Sequence, residues 1–252
     1  ALGAHQKSAR EARCDSVGVR KLAGHATDEG TRAFADKHAE TWGEGASAEL
    51  GSTGLWVSRL GFGGYRVDAH TPEHRAALQR AFASGVNLVD TSTNYTDGES
   101  ERLVGEVLSE LESRGALSRD QVVVVSKIGY VQGKNFALAQ EREAAGRPFP
   151  EMVKVGPGIW HCLHPEWLDD QLTRSLDRLA LRTLDVCLVH NPEYFLSDAL
   201  KRGEGSVADL RTELYRRLEA AFAHFERERK RGRIRFYGVS SNTSISPPDD
   251  RD

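Results

Sequence analysis

The run Val122-Val123-Val124-Val125-Ser126 shows no polar alternation. Four consecutive β-branched residues put an apolar side chain on both faces of a strand, and such a strand is buried on both faces, as in parallel sheets flanked by helices. The rest of the chain is compatible with that demand. Short apolar pieces recur near Leu60, at Val86–Val89, at Leu184–Val189 and at Arg235–Ser240, separated by segments of helical periodicity. In the first helix, Thr71 is placed to cap, Pro72 takes the first helical position, Ala77, Leu78, Ala81 and Phe82 form the apolar stripe, and Gly85 ends it. A second helix spans 99–114 with Leu103, Val104, Val107, Leu108 and Leu111 on one face. A third spans 165–178 with Leu168, Leu172 and Leu176. A long one spans 207–231 with Leu210, Leu214, Leu218, Phe222 and Phe225, closed by Gly232. Strand and helix alternate, which implies an α/β fold with a parallel sheet and helical crossovers. Periodicity does not distinguish an open doubly wound sheet from a closed barrel.

Three stretches fall outside the rhythm. Residues 1–47 carry little apolar periodicity and read as an N-terminal extension, irregular or partly helical and not part of the core, with the ordered domain spanning 48–252. Residues 50–58 suit a small hairpin. Residues 131–164 hold Gly133, Gly146, Pro148, Pro150, Gly156, Pro157 and Gly158 and read as a long loop, which in a compact domain is functional or disordered; it is expected to cover the site. The tail with Pro247 and Pro248 reads as loop.

The 252-residue chain has a formal net charge of −3 and a pI of about 6.3, which argues against a general nucleic-acid binder. Charged residues at 28% and apolar residues at 39% describe a globular profile. No apolar run reaches the roughly 20 residues of a membrane span. Three cysteines, Cys14, Cys162 and Cys187, without a C-x-x-C, point to a reducing compartment, cytoplasmic or an organellar matrix, and to no metal site. No secretory h-region is visible, so the protein is expected not to be secreted. His161, Cys162 and His164 lack a fourth ligand. Glu226–Arg231 reads as a solvated helix end whose cations complement the dipole.

Four ionisable residues sit at or just past the C-terminal ends of the expected strands: Asp90, Tyr95, Lys127 and His190. In a parallel barrel those ends share one face, and that face carries the chemistry. Each has an ordinary alternative: a turn cap for Asp90, packing for Tyr95, a solvated strand end for Lys127, a turn histidine before Asn191-Pro192 for His190. Together they make a coherent acid. A phenol, with a pKa of about 10, is a poor acid near neutrality, and an ammonium beside a phenol favours the phenolate. Asp90 supplies the ammonium's counter-charge, and a histidine can donate to a carbonyl oxygen and orient it. Such a site donates a proton to an oxygen that turns negative as a hydride arrives. No side chain supplies a hydride, so a nicotinamide cofactor is required.

The stretch Gly85-Val86-Asn87-Leu88-Val89-Asp90-Thr91-Ser92-Thr93-Asn94-Tyr95, followed by Gly98-Glu99-Ser100-Glu101 and Val104-Gly105, closely resembles the aldo-keto reductase signature. Lys127 after its valine run, Leu184-Asp185 leading to His190, and the run from Gly232 to Ser240 resemble that family's other motifs, over roughly residues 48–246. The resemblance implies a (β/α)8 TIM-type barrel that reduces aldehyde and ketone carbonyls with NADPH. It implies Tyr95 as general acid, Lys127 tuning it, Asp90 orienting the lysine and His190 positioning the substrate oxygen. It also implies Ser240, Ser241 and Asn242 at the nicotinamide carboxamide, with Gly64, Tyr65 and Arg66 near the nicotinamide end. Gly61-Phe62-Gly63-Gly64 lacks the G-x-G-x-x-G spacing of a dinucleotide fingerprint.

About five strands are visible where a closed barrel has eight. The expectation is therefore an incomplete barrel: a fragment, a split subunit or the ordered part of a longer protein. The leading expectation is an NADPH-dependent reductase of small carbonyl compounds. The alternative is a catalytically inactive reductase-like subunit with a structural role in a larger assembly, where a protein partner covers the open barrel edge. An isomerase or phosphate-ester barrel ranks last, since no phosphate-binding glycine loop is visible.

Overall fold

The structure is a computed structural model that describes residues 21–43 and 45–242. The Pro-rich tail and the first part of the extension lie outside the described residues. The chain opens with α1 (Asp28–Trp42), the antiparallel hairpin β1 (Ser47–Glu49) and β2 (Trp56–Ser58), and the short strand β3 (Phe62–Gly63). Then follow α2 (Pro72–Ala83), β4 (Leu88–Asp90), α3 (Glu99–Ser113) and β5 (Val123–Ile128). An excursion comprises β6 (Tyr130–Val131), α4 (Gly133–Ala144), β7 (Val153–Gly156) and β8 (Ile159–His161). The alternation resumes with α5 (Pro165–Arg178), β9 (Leu184–His190), α6 (Tyr194–Arg202), α7 (Val207–Lys230) and β10 (Ile234–Ser240).

The five strands expected from the sequence form one sheet in the order β3-β4-β5-β9-β10, and every neighbouring pair is parallel. Chain order and spatial order coincide, as in an arc of a β/α barrel. Among the described residues, β3 and β10 have no further strand beside them. The valine run behaves as its composition requires: all six residues of β5 are buried. Val122 and Val124 face the helix layer with Leu103, Val107, Leu168, Leu172 and Phe225, while Val123 and Val125 face a second cluster with Leu55 and Val57. Burying a Leu or Phe side chain contributes about 1.5–3 kcal/mol, so α3, α5 and α7 are held mainly by these stripes. The register aligns the functional ends: Asp90 lies opposite Val125, Lys127 opposite Leu188 and Ser240 opposite His190.

Two expectations need correction. Residues 21–47 are not outside the core. Thr27 caps α1 by accepting the Gly30 amide at 2.9 Å, Phe34 is buried in the main cluster, and the Ala26 amide donates to Asp185 at 2.8 Å. Phe34 is a single large anchor among charged neighbours, too sparse a stripe to read as periodicity. Residues 131–164 are not structureless either: β6, α4, β7 and β8 fold there, and Phe136, Ala139, Phe149, Trp160 and Cys162 bury themselves against the main core. Glycine and proline punctuate short elements there and do not mark one loop. Thr71 precedes Pro72 but makes no side-chain cap; the Asp68 carboxylate accepts the amides of His70 and Thr71, each at 2.8 Å.

Candidate active site

Successive residues of a strand face opposite sides, and at the end of β5 this separates two kinds of polar side chain. Ser126 turns outward to Glu101, which also accepts from Ser175 at 2.6 Å and from Arg178 at 2.6 Å, a buried tie between β5, α3 and α5. Lys127 turns inward. Its ammonium has three protons and finds three oxygens: Asp90 Oδ2 at 2.6 Å, Thr91 O at 3.1 Å and the Tyr95 hydroxyl at 3.1 Å. Lys127 is 5% exposed, so this pairing is what makes its burial tolerable. Because the Tyr95 oxygen accepts from the ammonium, its own O–H is directed away from Lys127.

Tyr95 is held by an unusual turn. Thr96 and Asp97, at φ 45° and 57°, are left-handed non-glycine residues in succession, a conformation that persists only where surroundings over-determine it. Here Thr96 Oγ1 donates to Val67 O at 2.5 Å and Asp97 Oδ1 accepts the Lys134 amide at 2.9 Å. Tyr95 stands edge-on to Tyr65 and to His190, with ring centroids 5.2 and 6.0 Å apart. His190 ends β9, and burial, aided by the nearby Lys127 charge, pushes its pKa down to about 3, so the imidazole is neutral. The four residues singled out from the sequence thus meet in one place.

Tyr95 and His190 line an open cleft of about 670 Å³ together with Tyr65, Arg66, Asn94, Thr96, Tyr130, Gln132, Asn191, Tyr194 and Asn242, and Lys127 reaches it through the Tyr95 hydroxyl. Of the residues named for cofactor contact, Tyr65, Arg66 and Asn242 are on this lining. Gly64 lies behind it: its amide donates to Asp90 O at 2.7 Å, and a Cβ there would collide with Ser100 Oγ and meet Asp90 O at 3.0 Å. Ser240 ends β10 level with His190, and Ser241 follows it. Asn242 donates its amide to Glu193 Oε1 at 3.0 Å.

Sequence reasoning missed the residues that support His190. Ser92 lies within the signature-like stretch without a role assigned to it, and Tyr130, His161, Asn191 and Tyr194 carry no motif of their own. His161 Nε2 lies 2.7 Å from His190 O, and burial holds its pKa down to about 4. Tyr130 accepts from Asn191 Nδ2 at 3.0 Å and stands edge-on to the His190 ring at 4.7 Å. The β-prone pair Tyr130-Val131, directly after a strand, was the available signal. Cys162 and Cys187 are buried, and burial pushes both thiols up, Cys162 to about 12. Elsewhere Asp169, His224 and Glu228 bring ligand-type atoms within 4.8 Å of one another. Arg233 Nη1 sits on both carboxylates there, 2.9 Å from Asp169 and 2.8 Å from Glu228, and takes the place a cation would need.

An ion-paired lysine, a phenol and a neutral histidine thus meet at the C-terminal ends of parallel strands in an α/β fold. The chain belongs to the aldo/keto reductase family, whose family model matches residues 59–246. It is 30% identical over 151 residues to the NADH-specific methylglyoxal reductase of Escherichia coli, covering 56% of this chain and 40% of that protein. It is 28% identical to the L-galactose dehydrogenase of Arabidopsis thaliana, covering 54% and 41%. A Schizosaccharomyces pombe protein whose name proposes a voltage-gated potassium channel β subunit is also 28% identical, over 57% of this chain and 36% of that one. The chain therefore spans about two fifths of the length of these curated relatives. A Bacillus halodurans aldo-keto reductase, in its holo form, superposes with a TM-score of 0.54 at 22% identity, covering 78% of this chain and 50% of that one; the likeness shows the shared barrel-type α/β fold.

Proposed function

We propose that this chain carries the catalytic half of a nicotinamide-dependent reductase of small aldehydes and ketones, with Tyr95 as general acid. The observation that carries the reading is the Lys127 ammonium, satisfied by Asp90, Thr91 and Tyr95 at 2.6–3.1 Å, with its charge against the phenol oxygen. That charge stabilises negative charge on Tyr95, so the phenol can release its proton. Asp90 holds the lysine pointed at the phenol. His190 and Tyr95 flank the position a substrate oxygen takes in the cleft. The nicotinamide, when bound, supplies the hydride.

The lining fits that ring. Tyr65 is 63% exposed beside Tyr95, an aromatic ring for stacking with the Arg66 guanidinium over it at 5.6 Å, and Asn191 Oδ1 is a buried acceptor without a partner among the described residues. Tyr65, Arg66, Ser240, Ser241 and Asn242 would hold the nicotinamide end, with Gly64 keeping the strand end close to Asp90. NADPH is the cofactor we favour from the family resemblance, and the NADH-specific E. coli relative makes NADH the comparison to run. Purified protein, given either cofactor and a short-chain aldehyde, should consume the cofactor. Absence of turnover with both, in protein that binds either, would remove the assignment.

A second reading is favoured by the S. pombe relative: a reductase-like subunit of an assembly, inactive by itself. It requires a partner beside β3 or β10, which have no further strand next to them among the described residues. Size-exclusion chromatography with light scattering decides between them: an active species without a partner excludes it.

A further inference from the structure

Asp90, Lys127 and His190 are each fixed by a strand of the sheet. Tyr95 is not: it stands on a turn well past Asp90, the last residue of β4. The 3.1 Å between its hydroxyl and Lys127 Nζ is therefore set by the turn and by whatever holds the turn. The turn does not hold itself, because Thr96 and Asp97 are both left-handed, at φ 45° and 57°, and L side chains resist that conformation.

Three bonds brace it from outside. Thr96 Oγ1 donates to Val67 O at 2.5 Å. The other two both end at the start of α4. Asn94, just before the tyrosine, donates Nδ2 to Gln132 Oε1 at 2.9 Å. Its Oδ1 accepts from Ser92 at 2.7 Å, whose hydroxyl lies 3.1 Å from His190 Nδ1. Asp97 Oδ1 accepts the Lys134 amide at 2.9 Å. Gln132, the N-cap residue of α4, makes no side-chain cap, so Asp97 supplies from another segment the acceptor this helix end lacks. A carboxylate there also meets the positive end of the helix dipole. The fit is close: Gly133 is itself left-handed, at φ 55°, and a Cβ on it would collide with Asp97 Oδ1.

We propose that Asp97 is a positioning residue: by capping α4 it holds the left-handed turn in place and so keeps the Tyr95 hydroxyl against the Lys127 ammonium. The start of α4 thereby sets the geometry of the acid. A reacting group displaced by about 1 Å can cost about a hundredfold in rate. The consequence for turnover rests on the reading of Tyr95 as general acid; the placement of the phenol does not.

Carbon-13 spectra of the whole chain, labelled at Cζ of tyrosine, read that placement without turnover, with the Tyr95 signal assigned through Tyr95→Phe. Asp97→Ala should move the signal, because the phenol leaves the ammonium. Asp97→Asn keeps an oxygen for the Lys134 amide and tolerates left-handed backbone, so it should return the signal to its wild-type position. A signal that stays put in Asp97→Ala, or moves as far in Asp97→Asn, overturns the proposal. Gly133→Ala evicts the carboxylate from the opposite side and gives the same reading should Asp97→Ala fail to fold; an unmoved signal there overturns the proposal as well. With NADPH and propanal, Asp97→Ala should lose about ten- to a hundredfold in kcat/KM at an unchanged NADPH dissociation constant, and Asp97→Asn should recover most of that loss. Unchanged kcat/KM in Asp97→Ala, or an equal loss of NADPH affinity, counts against the proposal. A signal that moves in Asp97→Ala and returns in Asp97→Asn, in protein without turnover, sinks the reductase reading and leaves the placement by Asp97 standing.

Discussion

The sheet has a close cation–carboxylate pair at each rim, and the two are built for different ends. At the N-terminal rim Arg119 and Asp185 meet at 2.6 Å with side chains 2% and 0% exposed. Asp185 also accepts the amides of Ala26 and Val124 at 2.8 and 2.9 Å, and Arg119 donates to Val122 O at 2.6 Å and Thr183 O at 3.2 Å. The carboxylate ties the segment just before α1 to β5 and β9. At the C-terminal rim Lys127 and Asp90 also meet at 2.6 Å, but the Asp90 side chain is 43% exposed and the lysine spends one proton on a phenol facing the cleft. The same pair of charges is locked at one end and left open to a reactant at the other.

The sharpest way to break the comparison is to disarm the open rim. Tyr95→Phe should lower kcat/KM by about 10²–10⁴-fold, the usual worth of a positioned general acid. The thermal midpoint should fall only slightly, because Lys127 keeps Asp90 Oδ2 and Thr91 O as partners. Retained turnover in Tyr95→Phe would dissolve the distinction. At the closed rim the effect should appear in stability instead. Asp185→Ala strands Arg119 in a dry site, and breaking a buried pair from one side costs about 3–5 kcal/mol. Urea denaturation should show that loss, with the activity of the folded fraction kept. A smaller test concerns what the N-terminal segment contributes to that rim. Phe34→Ala should cost about 3 kcal/mol, as expected for a buried aromatic. A loss below about 0.5 kcal/mol, the range of ordinary surface changes, would mean that α1 is an ornament.

The open rim was far more legible in the sequence than the closed one. Asp90, Lys127 and His190 each end a run of apolar residues, so a strand reading alone puts them on one face, and Tyr95 follows at a fixed step. The β/α order was written in stripes such as Leu168, Leu172 and Leu176. The closed rim has no such punctuation: Arg119 comes from a single 3₁₀ turn and Asp185 sits inside a strand, where a charge reads as an interruption until its partners are known. The same holds for Ser92 and His161, whose meaning comes from His190 across the fold. Residues 130–161 resisted because their strands are two to four residues long, too short for a period to register.

Acid offers the gentlest way to set the rims against each other. His190 and His161, adjoining the cleft, are both kept neutral by burial, with pKa values pushed down to about 3 and about 4. An unfolded histidine takes up a proton near pH 6.5. Between those values the unfolded chain binds more protons than the folded one, so these two residues favour folding fully above about pH 6.5 and progressively less as pH falls. Each should remove about 1 kcal/mol by pH 5.5, from a slope near 1.4 kcal/mol per pH unit. Among the described residues no histidine bonds Arg119 or Asp185 themselves, His25 reaching only Ala26 O, so the amides held by Asp185 should resist this range. Hydrogen exchange at pH 5.5 against pH 7.5 should therefore show, after correction for intrinsic rates, faster opening at residues 130–161 and at the end of β9. The Val124 and Ala26 amides, bound to Asp185, should change least. Equal loosening at both rims would mean that the histidines do not set the local stability of the cleft.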